Sequence, residues 1–109
     1  MVYYCGYLVR DEWLFQRGAE LGCPRPVNAL DTMNIILAAS SDLRIDTKVY
    51  AYTKFRHVKT LKGIPFWCIA FASNDPSEGL PTSAPAEEEY KALKEALHKK
   101  GPPGWYKSS

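Results

Sequence analysis

The chain has 109 residues, of which 46% are hydrophobic, 13% aromatic and 24% charged, a length and balance that fit one folded domain over residues 1–109 rather than a disordered or fibrous chain. Its formal net charge of +2 is too small for a general nucleic-acid coat. No stretch approaches the roughly 20 apolar residues of a membrane span, and the first nine residues carry neither a basic leader nor the apolar core of a signal peptide.

An intracellular, cytoplasmic and reducing setting with no membrane partner is therefore expected. The cysteines agree with it. Cys5, Cys23 and Cys68 are odd in number and so do not make a complete disulfide framework. Cys5 and Cys68 fall inside apolar runs, where a thiol behaves as a small hydrophobe. Cys23 follows a helix end and is the most accessible of the three, but a helix C-terminus disfavours a thiolate, so all three read as structural or incidental. With no Cys-x-x-Cys and only His57 and His98 besides, metal-site spacing is absent. No phosphate-binding glycine loop, carboxylate pair or nucleophile elbow occurs, so neither a cofactor nor a metal is expected.

Residues 2–9, rich in Tyr, Val and Leu, predict a central strand buried on both faces. Asp11 offers an N-cap and Glu12 a negative charge in the first turn of a short helix. Its apolar stripe is Trp13, Leu14, Phe15, Gly18 and Leu21; Gly22 stands at the C′ position and Pro24 and Pro26 stop it. Residues 28–41 predict a second helix, since Ala, Leu and Met dominate, although residues 34–39 also suit a buried strand. Ser40, Ser41 and Asp42 close it.

Residues 44–55 alternate strictly, and their β-branched and aromatic content predicts a strand. A polar connection at 59–63 ends in Gly63. Residues 64–72 then predict a central strand that begins at Pro65 and forms a hairpin with its predecessor. Residues 73–85 are a loop by composition. Residues 86–100 predict a helix, with Glu87, Glu88 and Glu89 in its first turn and His98, Lys99 and Lys100 in its last, as the helix dipole prefers. Gly101, Pro102 and Pro103 end it. In the C-terminal tail, 101–109, Trp105 and Tyr106 are placed to form a short edge strand.

The expected fold is a single small α+β domain: a mainly antiparallel sheet of three or four strands with helices packed on one face. If the first helix is an insertion, the element order is βαββαβ, as in a ferredoxin-like plait. That comparison rests on order alone.

Function is carried by charge placement. Residues 44–62 hold six positive charges against one negative, and residues 75–89 hold five negative charges and none positive. On the expected strand Ile45, Thr47, Val49, Ala51, Thr53 and Phe55 share one face, while Arg44, Asp46, Lys48, Tyr50, Tyr52, Lys54 and Arg56 share the other. Lys48, Tyr50, Tyr52, Lys54, Arg56, His57 and Lys59 form the candidate ligand-binding set. Cations with flat rings suit an anionic partner such as single-stranded nucleic acid or an acidic protein segment. The plain alternative is that the tyrosines are cross-strand packing partners, that the lysines guard a strand, and that the acidic segment neutralises the basic one.

His57 is the only candidate general base, with Asp42 and Asp46 as conceivable orienting carboxylates, and no catalytic residue is otherwise assigned. Tyr3, Tyr4, Tyr7, Trp13, Phe15, Phe66, Trp67 and Phe71 serve either as the core or as the wall of an aromatic-lined ligand or enzyme pocket, as in a dimer of plaits. An oligomerising adaptor is the third class open to the chain.

Overall fold

Three helices and four strands carry the chain, and a computed structural model describes residues 1–109. In order they are β1 (Tyr3–Val9), α1 (Asp11–Glu20), α2 (Ala29–Asp46), a 3-10 turn (Tyr50–Tyr52), β2 (Lys54–Lys59), β3 (Pro65–Ser73), a second 3-10 turn (Pro76–Glu78), α3 (Glu87–Ala96) and β4 (Gly104–Ser108). This is a single small α+β domain.

All strand pairings are antiparallel. β1 lies between β3 and β4, and β2 pairs with β3 as the expected hairpin. An open plait would leave β2 and β4 as free edges. Here they meet, Val58 opposite Ser108 and Lys59 opposite Lys107, and the sheet closes on itself in the order β1-β3-β2-β4. Residues 104–108 therefore form a strand with a neighbour on each side rather than the expected edge.

Strict alternation along β3 divides two cores. Cys68 and Ala70 point inward with Tyr4, Val58 and Leu80, and Phe66, Leu8 and Tyr106 pack beside them. Ile69 and Phe71 point outward with Tyr7 and Val9 onto the helices. There they meet Leu14 of α1, Ile36, Ala39 and Leu43 of α2, and Tyr90 and Leu93 of α3. Tyr7, Phe71 and Tyr90 contact one another with ring centroids 5.1–6.0 Å apart. Of the eight aromatics proposed as a pocket wall, Tyr4, Tyr7 and Phe71 are buried in these cores and Trp13, Phe15, Phe66 and Trp67 pack against them.

The inner core is tight at β1. A register shift falls between Cys5 and Gly6, and Gly6 faces Ala70 on one side and Gly104 on the other. A Cβ on Gly6 would collide with the backbone carbonyl of Ile69 and lie 2.9 Å from the Ala70 Cα. The bulge can form only with glycine at that place.

The largest departure from expectation is at residues 44–55, which are not a strand. α2 continues five residues beyond the anticipated end, because Leu43 extends the buried row of Ile35, Ile36 and Ala39 at helical spacing. The residues read as closers serve otherwise: the Ser40 hydroxyl donates to the Leu37 carbonyl, and Asp42 accepts from Arg17 at 2.8 Å.

A Schellman motif ends the helix. Val49 N–H donates to the Arg44 carbonyl and Lys48 N–H to the Ile45 carbonyl, with Lys48 in the left-handed region at φ 63°. The 3-10 turn follows, and β2 begins only at Lys54. Between Thr47 and Thr53 the predicted sidedness survives only in part: Thr47, Val49 and Thr53 are buried while Lys48, Tyr50 and Tyr52 are exposed, but Ala51, expected on the face of the first three, is exposed as well.

Smaller corrections concern helix ends. Arg10, not Asp11, occupies the α1 N-cap, so Asp11 falls within the first turn. α3 stops at Ala96, four residues early, because His98 adopts φ 55° and Lys99 N–H reaches back to the Lys94 carbonyl. Gly22 is the C′ residue of α1 as expected, at φ 88°.

Candidate functional site

The seven candidate ligand-binding residues do not share one face; the fold sorts them into three places. Lys48 caps α2. Tyr50, Tyr52, Lys54 and Arg56 line an open groove of about 540 Å³ together with Arg44. His57 and Lys59 point outward from β2, toward its other end.

The groove is largely satisfied from within. Arg44 Nε donates to Thr53 Oγ1 at 3.0 Å and Nη2 to the Thr53 carbonyl at 2.6 Å, and the guanidinium carbon sits 4.4 Å above the Tyr50 ring. Burial holds the Arg44 pKa below its ordinary value. Arg56 pairs with Glu78 at 3.5 Å. The Tyr52 hydroxyl donates to the Glu89 backbone carbonyl, and burial followed by the nearby Glu89 charge raises its pKa. Two of the acidic residues in 75–89 therefore reach the basic segment, one through its carboxylate and one through its backbone. Tyr50 and Tyr52 lie in the 3-10 turn and so are not cross-strand partners, and Lys54 is not ion-paired with a carboxylate.

His57 stands on β2, exposed, its ring 4.9 Å from that of its cross-strand neighbour Trp67. Neither proposed carboxylate reaches it. Asp42 and Asp46 both pair with Arg17, at 2.8 and 3.4 Å. No group of three or more His, Cys, Asp or Glu side chains is arranged to hold a metal ion. Cys5 and Cys68 are buried, and burial pushes both thiols above their ordinary pKa. Cys23 is half-exposed beside an apolar recess of about 540 Å³ formed by Phe15, Ala19, Pro24, Pro26 and Ile35 at the α1–α2 connection.

A second basic-aromatic surface appears only once the strands are paired. Closure of the sheet sets Lys59 of β2 directly opposite Lys107 of β4, and Lys107 directly opposite Tyr3 of β1. Trp105 lies two residues along β4 from Lys107, and so on the same face. With Lys62 and Ile64 from the β2–β3 connection these residues border an open hollow of about 700 Å³. Trp105 is 47% exposed and Tyr3 37%. None of Lys59, Lys62 and Lys107 is ion-paired with a carboxylate.

Of this set, only Lys59 stands among the candidate ligand-binding residues read from the sequence; Lys62 entered with the basic segment and Tyr3 as an aromatic of a possible pocket wall. Tyr3 and Lys107 lie at opposite ends of the chain, so no local pattern could have joined them. The exposed Trp-Tyr-Lys run at 105–107 was the available signal.

The architecture and this surface together define a small α+β domain with a closed four-stranded antiparallel sheet, its helices on one flank and a basic-aromatic face on another. No family model, curated protein or solved structure matches the chain. No helix is long and apolar enough to cross a membrane.

Proposed function

We propose that this domain binds an anionic, ring-bearing polymer, single-stranded nucleic acid, across the face formed by β1, β4 and β2. The Lys59–Lys107 pair is the observation that carries the reading. Like charges directly opposite one another on a sheet are destabilising, and nothing in the chain offsets these two. A phosphate seated between them supplies the missing charge, and Lys62 extends the track.

Tyr3 and Trp105 are diagonal neighbours across β1 and β4, a relationship that sets side chains roughly 7–8 Å apart. That spacing offers two platforms on which consecutive unpaired bases can stack. Stacking accepts any base, so little sequence preference is expected. The low net charge favours a few phosphate contacts on a single strand over a long duplex tract.

Fluorescence anisotropy with a labelled 12-nucleotide single strand tests the reading. Three phosphate contacts predict a slope of log affinity against log salt of about −2. Trp105→Ala is expected to weaken binding about tenfold, in line with the loss of one stacked base. Lys59→Ala/Lys107→Ala should weaken it further and flatten the salt slope. The reading fails if no binding is seen at low salt, or if both variants bind as the wild type does. Equal or tighter binding to an acidic peptide or to anionic vesicles would reassign the surface to that partner.

A further inference from the structure

The groove beside the 3-10 turn at Tyr50–Tyr52 gathers three cations, with one carboxylate to answer them. Arg44, Lys54 and Arg56 all line it, and of these only Arg56 is ion-paired, to Glu78 at 3.5 Å. Glu89, whose backbone carbonyl accepts from the Tyr52 hydroxyl, is not among the lining residues. A local excess of two positive charges remains. The arginines also act on each other: burial first, and the charge of Arg56 after it, hold the Arg44 pKa down against an opposing contribution from Tyr50.

Arg44 is the fixed member of the set. Its Nε donates to Thr53 Oγ1 at 3.0 Å and its Nη2 to the Thr53 and Tyr50 carbonyls at 2.6 and 3.4 Å, with the Tyr50 ring 4.4 Å from the guanidinium carbon. Every one of these partners is neutral, and Nη1 has no acceptor within the chain. A half-buried charge without a counter-charge is costly, and a guanidinium held in one orientation is ready to receive an oxyanion. Arg56 keeps Nη2 in reserve in the same way, its Nε on Glu78 and its Nη1 on the Phe55 carbonyl at 3.2 Å. The Lys54 ammonium lies 3.8 Å from the place a Cβ on Gly79 would take, beside the end of the second 3-10 turn.

We propose that this groove binds a phosphomonoester dianion, its terminal oxygens shared among Arg44, Lys54 and Arg56. Such a group carries about −1.5 to −2 charges at pH 7 and three strong acceptor oxygens, which matches both the local charge excess and the number of cations. A phosphodiester link carries a single charge and matches it less well. The groove shares no residue with the hollow bordered by Lys59 and Lys107, so the two are separate sites for different anions. Because the groove is open, the carrier stays in solvent, and it is the phosphate that is recognised rather than what bears it.

Isothermal titration calorimetry at low salt with phenyl phosphate, a phosphoserine peptide and the monoanion dimethyl phosphate provides the test. Saturable binding of the two monoesters is expected, within about threefold of each other and at least about tenfold tighter than the diester. Lys54 is ion-paired with nothing, so Lys54→Gln leaves the fold intact, and it should weaken the monoesters about tenfold. Glu78→Gln frees the Arg56 guanidinium and should strengthen them about threefold or more. Lys59→Ala/Lys107→Ala should change nothing, which keeps this result apart from that of the single-strand titration. The inference is overturned by a monoester that fails to saturate, by equal affinity for the diester, or by binding of the peptide alone, which would move recognition off the groove. Indifference to both Lys54→Gln and Glu78→Gln, or loss of binding in Lys59→Ala/Lys107→Ala, would overturn it as well.

Discussion

The Arg56 Nε stands 3.5 Å from Glu78 Oε2, and this is the one ion pair between the basic segment at 44–62 and the acidic segment at 75–89. It draws the 3-10 turn at Pro76–Glu78 against β2. It also occupies one of the cations of the groove beside Tyr50 and Tyr52. Arg56 already has a carboxylate, whereas Lys59 and Lys107 have only each other.

Both members of the Arg56–Glu78 pair are partly exposed, so solvent screens it. A double-mutant cycle with Arg56→Ala and Glu78→Ala should give a coupling of no more than about 1 kcal/mol in urea unfolding, shrinking further at high salt. Glu78→Gln should leave the affinity for a single strand unchanged to within about twofold. A large gain in affinity would instead point to the groove as the anion site.

The ends of α2 and α3 lend themselves to engineering. Lys48 and His98 occupy left-handed C′ positions at φ 63° and 55° without being glycine. A non-glycine residue in that region costs roughly 1–2 kcal/mol, part of which glycine forfeits through its freer unfolded chain. Lys48→Gly is therefore expected to stabilise the domain by about 0.5–1 kcal/mol, raising the melting temperature by a few degrees. Lys48→Val should lower it.

Gly6 should behave in the opposite way. Because a Cβ there meets the carbonyl of Ile69 and the Ala70 Cα, Gly6→Ala is expected to cost about 3 kcal/mol or more through forced backbone movement. Gly101→Ala, where a Cβ meets open space, should stay within about 0.5 kcal/mol. Urea titrations of the two variants provide the comparison.

Tyr7 predicts an alkaline limit to stability. Its hydroxyl donates to the Gly101 carbonyl at 2.9 Å inside the outer core, and burial, aided by Tyr90 and Glu87, raises its pKa from 10.0 to about 12. A folded-state pKa above the unfolded value favours the neutral, folded form below pH 10. That contribution is lost as pH rises through 10 to 12, by about 2–3 kcal/mol in all. Tyr7→Phe should be less stable at neutral pH, for want of the hydrogen bond, yet lose less stability across that window. Thermal melts between pH 8 and pH 12 would show parallel curves if Tyr7 contributed nothing.

Much of the fold was legible because its signals are local. Gly22 with Pro24 and Pro26 stopped α1, Pro65 opened β3, and three glutamates announced the start of α3. The segment at 44–55 misled because a helix end and the turn after it can bury some of the alternate side chains that a strand would bury. Thr47, Val49 and Thr53 are buried in this way, while Ile45 and Ala51 on the same predicted face are exposed. Lys48 and His98 concealed two Schellman motifs by standing where glycine is usual. The candidate site was the least legible part, since the Tyr3–Lys107–Lys59 row requires knowing which strands are neighbours.

The closed sheet also bears on how the chain folds. β1, near the amino end, pairs with β4, near the carboxyl end, and β2 gains its second neighbour only from that same strand. Helix α2 and the β2–β3 hairpin involve only nearby residues and can form early. The final pairing must draw in almost the whole length of the chain, and such distant contacts slow folding to the millisecond-to-second range. Until β4 docks, two sheet edges and the tyrosine-lined interior stay open to other chains. The residues at 104–108 thus decide how long a newly made molecule remains prone to aggregation.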